Sequence, residues 1–150
     1  MSSNDAGPSR LIYKILTKEQ AVEFESSGVF QGAGIDLTDG FIHMSEQGVR
    51  KTPFDCSLAY SKLFSALMDC LTDQVEKTLA RFFNGVEDLR LVALPVDAVR
   101  KNVRIDKNAH GSFPHIYNDN FDGVGSFQWT DIEWCRDVPL VDGKHQPNFE

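Results

Sequence analysis

Cysteine is scarce. The 150-residue chain has three, Cys56, Cys70 and Cys135, an odd count with no CxxC pair. That argues against a disulfide framework or a zinc ribbon and favours reduced thiols packing as small apolar groups. Cations are the minority charge: Lys and Arg total 15 against 22 Asp and Glu, a net charge of −7. A chain this acidic repels phosphate backbones and anionic bilayers unless its cations cluster, so neither a nucleic acid nor a membrane is the expected partner. No apolar run approaches the ~18–20 residues that span a bilayer. The opening MSSNDAGPSR has no apolar core of a secretory signal, so the expected location is cytoplasmic. Two catalytic signatures are missing as well. Gly32-Ala33-Gly34 lacks the GxGxxG frame of a phosphate loop, and no GxSxG is present to make Ser45 a hydrolase nucleophile.

What remains is a composition suited to one folded domain, with 41% hydrophobic and 25% charged residues. At this length roughly 68–70% of the unfolded surface goes inside. Residues 1–10 read as a disordered leader, 11–140 as the domain, and 141–150 as a loose tail. Leu11 to Leu16 is short, apolar and β-branched, as a buried strand is. Thr17 and Gln20 have capping-box spacing before a helix to about Ser26, with Ala21, Phe24 and Val22 as its inner stripe and Gly28 as its stop. Val29 to Thr38 reads as loop, and Asp39-Gly40 as a turn. Tyr60 to Leu71 and Asp73 to Phe83 have helical periodicity, Thr72 capping the second, whose Val75, Leu79, Phe82 and Phe83 point inward. Leu89 to Pro95 reads as a central strand, Val96 to Val99 as a helical turn, and Val103 to Asp106 as a strand. Asn108 to Gly125 reads as loop, and Phe127 to Trp134 alternates as a half-exposed strand does. This mixed order of elements predicts an α+β domain rather than a doubly wound parallel sheet.

The strand Phe41 to Ser45 carries the first candidate chemistry. Strict alternation puts Phe41, His43 and Ser45 on one face and Ile42 and Met44 on the other, so one side belongs to the core and the other to a groove. His43 is suited to a hydrogen bond to a ligand hydroxyl or carboxylate, or to proton transfer; the plainer alternative is a core histidine satisfied by a backbone carbonyl. Pro114 favours extended backbone at Phe113–Tyr117, which would align His115 and Tyr117 as an opposite wall or, alternatively, as a structural corner. Asp36 and Asp39 flank the turn, either as Asx-turn acceptors or as ligand-facing carboxylates. Lys14 is either a point charge for an anion or a solvated strand-edge lysine. A two-histidine, one-carboxylate metal set of His43, His115 and Asp36 or Asp39 is a further alternative, with no ligand motif behind it.

Several of these blocks carry a family likeness: Ile12-Tyr13-Lys14-Ile15-Leu16, Gly28-Val29-Phe30, Ile35 to Ser45, Asp73 to Phe83, and Phe113-Pro114-His115-Ile116-Tyr117. Together they resemble the domain of unknown function 952 family, over most of Leu11 to Glu133. The resemblance implies a split, mixed or antiparallel sheet of ADP-ribosyltransferase-like type, flanked by helices, with a cleft that holds NAD in active enzymes. An order of elements similar to that of RNA 2′-phosphotransferases accompanies it, with Lys14 where that family has a first-strand histidine. By this resemblance the ligand-binding candidates are Tyr13, Lys14, Asp36, Asp39, His43, Ser45, Phe113, His115 and Tyr117. The implied ligand is NAD, a nucleotide or another small anion, lying between the His43 strand and the Phe113–Tyr117 segment. If there is a reaction, the resemblance implies an ADP-ribosyl or related NAD-dependent glycosyl- or phospho-transfer, with His43 and Glu133 as catalytic candidates and Asp131 beside Glu133 in an acidic pair. The alternative is a non-catalytic scaffold or interaction domain. Residues 46–71 read as an insertion relative to the family, either a lid or interface, or a tolerated surface insertion or retained intron.

Overall fold

A computed structural model of the chain describes residues 10–46, 74–108 and 111–149. In chain order its elements are β1 (Leu11–Thr17), α1 (Lys18–Ser27), β2 (Val29–Phe30), α2 (Ile35–Asp39), β3 (Ile42–His43), β4 (Ser45–Glu46), α3 (Gln74–Phe82) and β5 (Leu89–Pro95). A 3-10 segment (Val96–Asn102) then leads to β6 (Val103–Asn108), β7 (Gly111–Ile116), β8 (Phe127–Gln128), a 3-10 turn (Trp129–Asp131), β9 (Trp134–Val138), β10 (Leu140–Val141) and β11 (Lys144–His145).

The centre is built by two runs that are apolar on both faces. β1 and β5 pair antiparallel along their whole length, from Leu11 opposite Pro95 to Thr17 opposite Leu89. β4 lies outside β1 and β9 outside β5, giving the order β4-β1-β5-β9. One face of β1 and β5 (Ile12, Leu16, Val92 and Leu94) packs with Ala21 and Phe24 of α1 and with Phe30 and Phe127. The other face (Tyr13, Ile15, Leu89, Leu91 and Ala93) packs with Val75 and Leu79 of α3. Phe24 has edge-on rings on three sides, Phe30, Phe127 and Trp129. Truncating a side chain packed in this way to alanine costs about 3–5 kcal/mol.

A second sheet has the order β3-β7-β6, and β2 pairs with β8. Every strand pair with a defined register is antiparallel. The domain is therefore α+β, with its sheet divided in two. The division runs through the candidate strand: β3 belongs to the second sheet and β4 to the first. Met44 is the hinge, buried in the core, and its N–H donates to the Pro114 carbonyl at 3.0 Å.

The capping box forms as its spacing predicts. Thr17 Oγ1 accepts from the Gln20 N–H, Gln20 Oε1 accepts from the Thr17 N–H, and Gly28 ends the helix in the left-handed conformation. Other expectations change. Val22 is exposed, because Ala21 and Phe24 already fill the inner stripe of α1. Phe82 is exposed for the same reason, with Val75 and Leu79 one helical turn apart against the sheet, while Phe83 packs on the core. The loop expected over residues 29–38 contains β2, which exists because Phe127–Gln128 pairs with it from far along the chain, and α2, which is too short to show periodicity. The loop expected over residues 108–125 contains β7, the central strand of the second sheet. The single strand expected over Phe127–Trp134 is broken by the 3-10 turn, where Asp131 caps the Gln128 N–H at 2.9 Å. Asp131 and Glu133 therefore do not share a strand face. At the C-terminal end, β10 and β11 form a hairpin, and Phe149 meets the Tyr13 ring edge-on at 5.1 Å. The helix expected over residues 60–71, the cap expected at Thr72, and Cys56 and Cys70 fall outside the described residues, as do most of the expected insertion and the expected leader. Among the described residues, no helix is long and apolar enough to cross a membrane.

Candidate functional site

β1 alternates, so Lys14 sits on the same face as Ile12 and Leu16 and is carried into the protein rather than out to water. Its ammonium needs partners there. Lys14 Nζ lies 3.0 Å from Asp36 Oδ1 and 2.9 Å from Oδ2, and it donates to the His43 carbonyl at 3.0 Å. Burial pushes the Lys14 ammonium below its ordinary pKa, against the pull of Asp36. Asp36, in the first turn of α2, is fully enclosed. Its carboxylate also accepts from the Ala33 N–H at 3.1 Å and the His43 N–H at 3.0 Å, and its Oδ1 lies 2.7 Å from His43 Nδ1. Burial alone would raise the carboxyl's pKa. The hydrogen bonds from His43 and the charge of Lys14 reverse this and hold it below the ordinary value. His43 Nε2 faces a second carboxylate, Asp39 Oδ2, at 3.0 Å.

The antiparallel register sets His43 directly opposite His115 and sets Arg104 opposite His115 on the other side. Three polar side chains thus form a row across one face of the second sheet. The imidazole centroids are 5.4 Å apart, and Phe41 stacks on the His115 ring at 4.0 Å. His115 Nδ1 lies 2.7 Å from Asp106 Oδ2, and the same oxygen accepts from the Tyr117 hydroxyl at 2.6 Å. Arg104 donates to Asp106 Oδ1 at 2.8 Å and to the Tyr117 hydroxyl at 2.8 Å, with its guanidinium 4.4 Å from the Tyr117 ring centroid. Partial burial opposes ionisation of Asp106, yet the bonds from Tyr117, His115 and Arg104 bring its pKa down to about 2. Burial lowers the His115 pKa, and Asp106 opposes that shift. Burial and the bond to Asp106 raise that of Tyr117.

A cavity of about 570 Å³ opens where the two sheets part, the size of a small-molecule site. Of the candidate residues, Tyr13, Lys14, Asp36, Asp39, His43, Ser45, Phe113 and His115 line it. Tyr117 does not; it stands behind His115 and holds Asp106. Glu133 does not line the cavity either; it is exposed beyond β5, and its N–H donates to the Ala93 carbonyl. Ser45 is buried with its Oγ 3.2 Å from Thr78 Oγ1, a contact that ties β4 to α3. Among the described residues, no cluster of three or more His, Cys, Asp or Glu side chains is disposed to hold a metal ion, which leaves the two-histidine metal set without geometry.

Sequence reasoning misses Asp106, Arg104, Thr78 and Arg81. Arg104 and Asp106 alternate on β6, and their role appears only once β7 is a strand beside them. Arg81 lines the cavity from α3 and has no ion-pair partner among the described residues.

The fold has solved likenesses. The crystal structure of protein CC0527 from Caulobacter crescentus is 25% identical, covering 91% of this chain and 93% of that chain, with a TM-score of 0.64. The solution structure of CC0527 is 24% identical over 90% of each chain, with a TM-score of 0.61. A comparison with curated proteins found no match. Residues 69–125, which hold α3, β5, β6 and β7, match the model of the family described as "Protein of unknown function (DUF952)".

Proposed function

We propose that the chain binds a small nucleotide-like anion, with NAD among the candidates, in the cavity between β3, β7, α2 and α3. The carrying observation is that His43 and His115, 72 positions apart, line one cavity with their centroids 5.4 Å apart. The lining divides its work. Tyr13, Phe82 and Phe113 supply ring surface suited to a base. Lys14 is matched by Asp36, and Arg81, which has no ion-pair partner among the described residues, is the cation offered to an anionic group. Ser45, Thr78 and the imidazoles supply hydrogen bonds for hydroxyls.

The ADP-ribosyltransferase-like kinship is part of this reading. Its support is the divided antiparallel sheet with a cleft beside the histidine strand. NAD enters as a ligand and not as an ADP-ribosyl donor, because Glu133 stands outside the cavity. Cytoplasmic residence, with neither a membrane nor a nucleic acid as partner, completes the proposal and rests on the acidic composition.

Calorimetric titration of the full chain with NAD, AMP and inorganic phosphate tests the reading. The expected result is saturable heat for at least one nucleotide, weakened tenfold or more in Arg81→Ala and in His43→Ala. Absence of saturable heat for all three probes overturns it. The second reading, a scaffold without chemistry, draws on the internal pairing of Lys14, His43 and His115 with Asp36, Asp39 and Asp106. Its mark is an unchanged interaction phenotype in the double variant His43→Ala, His115→Ala.

A further inference from the structure

Two imidazoles face each other here in unlike surroundings. Each ring nitrogen of His43 lies beside a carboxylate oxygen, Nδ1 at 2.7 Å from Asp36 and Nε2 at 3.0 Å from Asp39. A carboxylate only accepts, so both contacts are hydrogen bonds when both nitrogens carry hydrogen, as in the imidazolium. His115 has one such partner. Its Nδ1 donates to Asp106, which fixes the tautomer and leaves Nε2 with its lone pair on a ring that lines the cavity. Burial lowers the pKa of this second ring, with Asp106 pulling the other way. A proton donor and a proton acceptor thus stand side by side in one cavity, each held by its own carboxylate.

We infer that His43 and His115 are the general acid and general base of a phosphodiesterase acting on a nucleotide, the simplest substrate being a nucleoside 2′,3′-cyclic monophosphate. The inference rests on the nucleotide-binding reading and goes beyond it to a reaction. Charge selects the substrate class. Lys14 is paired with Asp36, and among the described residues Arg81 is a lining cation with no ion-pair partner. A phosphodiester carries one negative charge, which suits pairing with the Arg81 guanidinium. Ring-lined walls suit the base, as above.

The step balances with water as co-reactant. His115 Nε2 takes a proton from water as its oxygen bonds to phosphorus. The bond from phosphorus to one ribose oxygen breaks, and His43 gives that oxygen its Nε2 proton. The product is a phosphomonoester, and exchange with solvent restores the two rings. Asp39 is half exposed at the mouth, whereas Asp36 is enclosed. The departing oxygen therefore takes the place of Asp39 at Nε2, while Asp36 keeps its hold on Nδ1. Arg104 and Tyr117 act as positioning residues, because they touch Asp106 and not the cavity.

Incubation of the full chain with the four nucleoside 2′,3′-cyclic monophosphates, followed by phosphorus NMR, tests the step; calorimetry on the same protein reads binding. The expected result is conversion to a phosphomonoester, with kcat lowered 100-fold or more in both His43→Gln and His115→Gln and Kd moved only severalfold. The pH–rate profile falls on both limbs. The groups facing His43 are Asp36 and Asp39 of α2, Lys14 of β1 and His115 of β7; those facing His115 are Asp106 and Arg104 of β6, with His43. Tyr117→Phe shifts the limb that belongs to His115, an effect that a merely structural role would not produce. Saturable binding without conversion overturns the inference and leaves the binding reading standing; neither binding nor conversion overturns both. Should a glutamine variant fail to fold, a flat wild-type profile from about pH 5 to 9 overturns the inference by itself.

Discussion

Asp36→Asn is the most informative single substitution, because it changes one enclosed charge and little else. The carboxylate accepts from Lys14, from the His43 N–H, from His43 Nδ1 and from the Ala33 N–H. An amide retains one oxygen and turns the other position into a donor facing donors. It also strands the Lys14 ammonium, which has only 12% of its side-chain surface exposed, without a counter-charge. Removing one member of a buried pair costs about 3–5 kcal/mol, a large fraction of the ~5–15 kcal/mol that holds a domain folded. With a urea slope of about 2 kcal/mol/M, the unfolding midpoint falls by roughly 1.5–2.5 M. The double variant Lys14→Met, Asp36→Asn removes both charges and recovers part of the loss. The pH dependence follows the sign of the shift. The folded Asp36 carboxyl lies below its ordinary pKa, so its stabilisation is present above ~3.9 and fades as pH falls through the folded value. Wild type and Asp36→Asn therefore converge in acid. A loss under ~1 kcal/mol, or a double variant no more stable than the single one, refutes the buried-pair argument.

Thr17→Ala removes the hydroxyl half of the capping box and lowers stability by about 1 kcal/mol, read from the thermal midpoint. Gly125→Ala places a methyl 2.5 Å from the Tyr117 carbonyl oxygen, so backbone must shift; we expect a lower midpoint and altered imidazole NMR signals from His115. Tyr117→Phe removes one donor from Asp106 and raises its pKa from about 2 toward the ordinary carboxyl value, readable by carbon NMR. Asp106 in its folded setting is depressed, so the stability it contributes is present above ~3.9 and lost as pH falls toward 2; the variant loses it at higher pH.

Local signals are legible in this chain and paired ones are not. Thr17, Gln20 and Gly28 declare α1 within a dozen residues, because capping is local chemistry. Leu89–Pro95 declares a central strand by being apolar on both faces. Short elements stabilised from afar leave no such mark. β2 exists through Phe127, and β7 through β3 and β6, while its own sequence is rich in turn-forming residues. The change of sheet at Met44 is invisible for the same reason: alternation tells which side a residue faces, not which sheet its neighbour joins. The imidazoles stand out in sequence as rare titratable groups on strands, yet Asp106 lies nine residues from His115 and looks like any surface aspartate until β6 and β7 pair.

That pairing also explains why two identical side chains differ in character. His43 and His115 are register partners on neighbouring strands of one sheet, yet their surroundings differ. Here α2 is set against β3 by Gly40, whose left-handed turn closes the helix and brings Asp36 and Asp39 back onto His43 rather than His115. His115 sits one strand further in, covered by the Phe41 ring, with Asp106 reaching it from the opposite side. One histidine is clasped by two anions and the other is buried with one. The difference comes from a five-residue helix and a strand pairing, not from the histidines themselves. Moving a carboxylate, rather than an imidazole, is therefore the substitution that should exchange donor and acceptor.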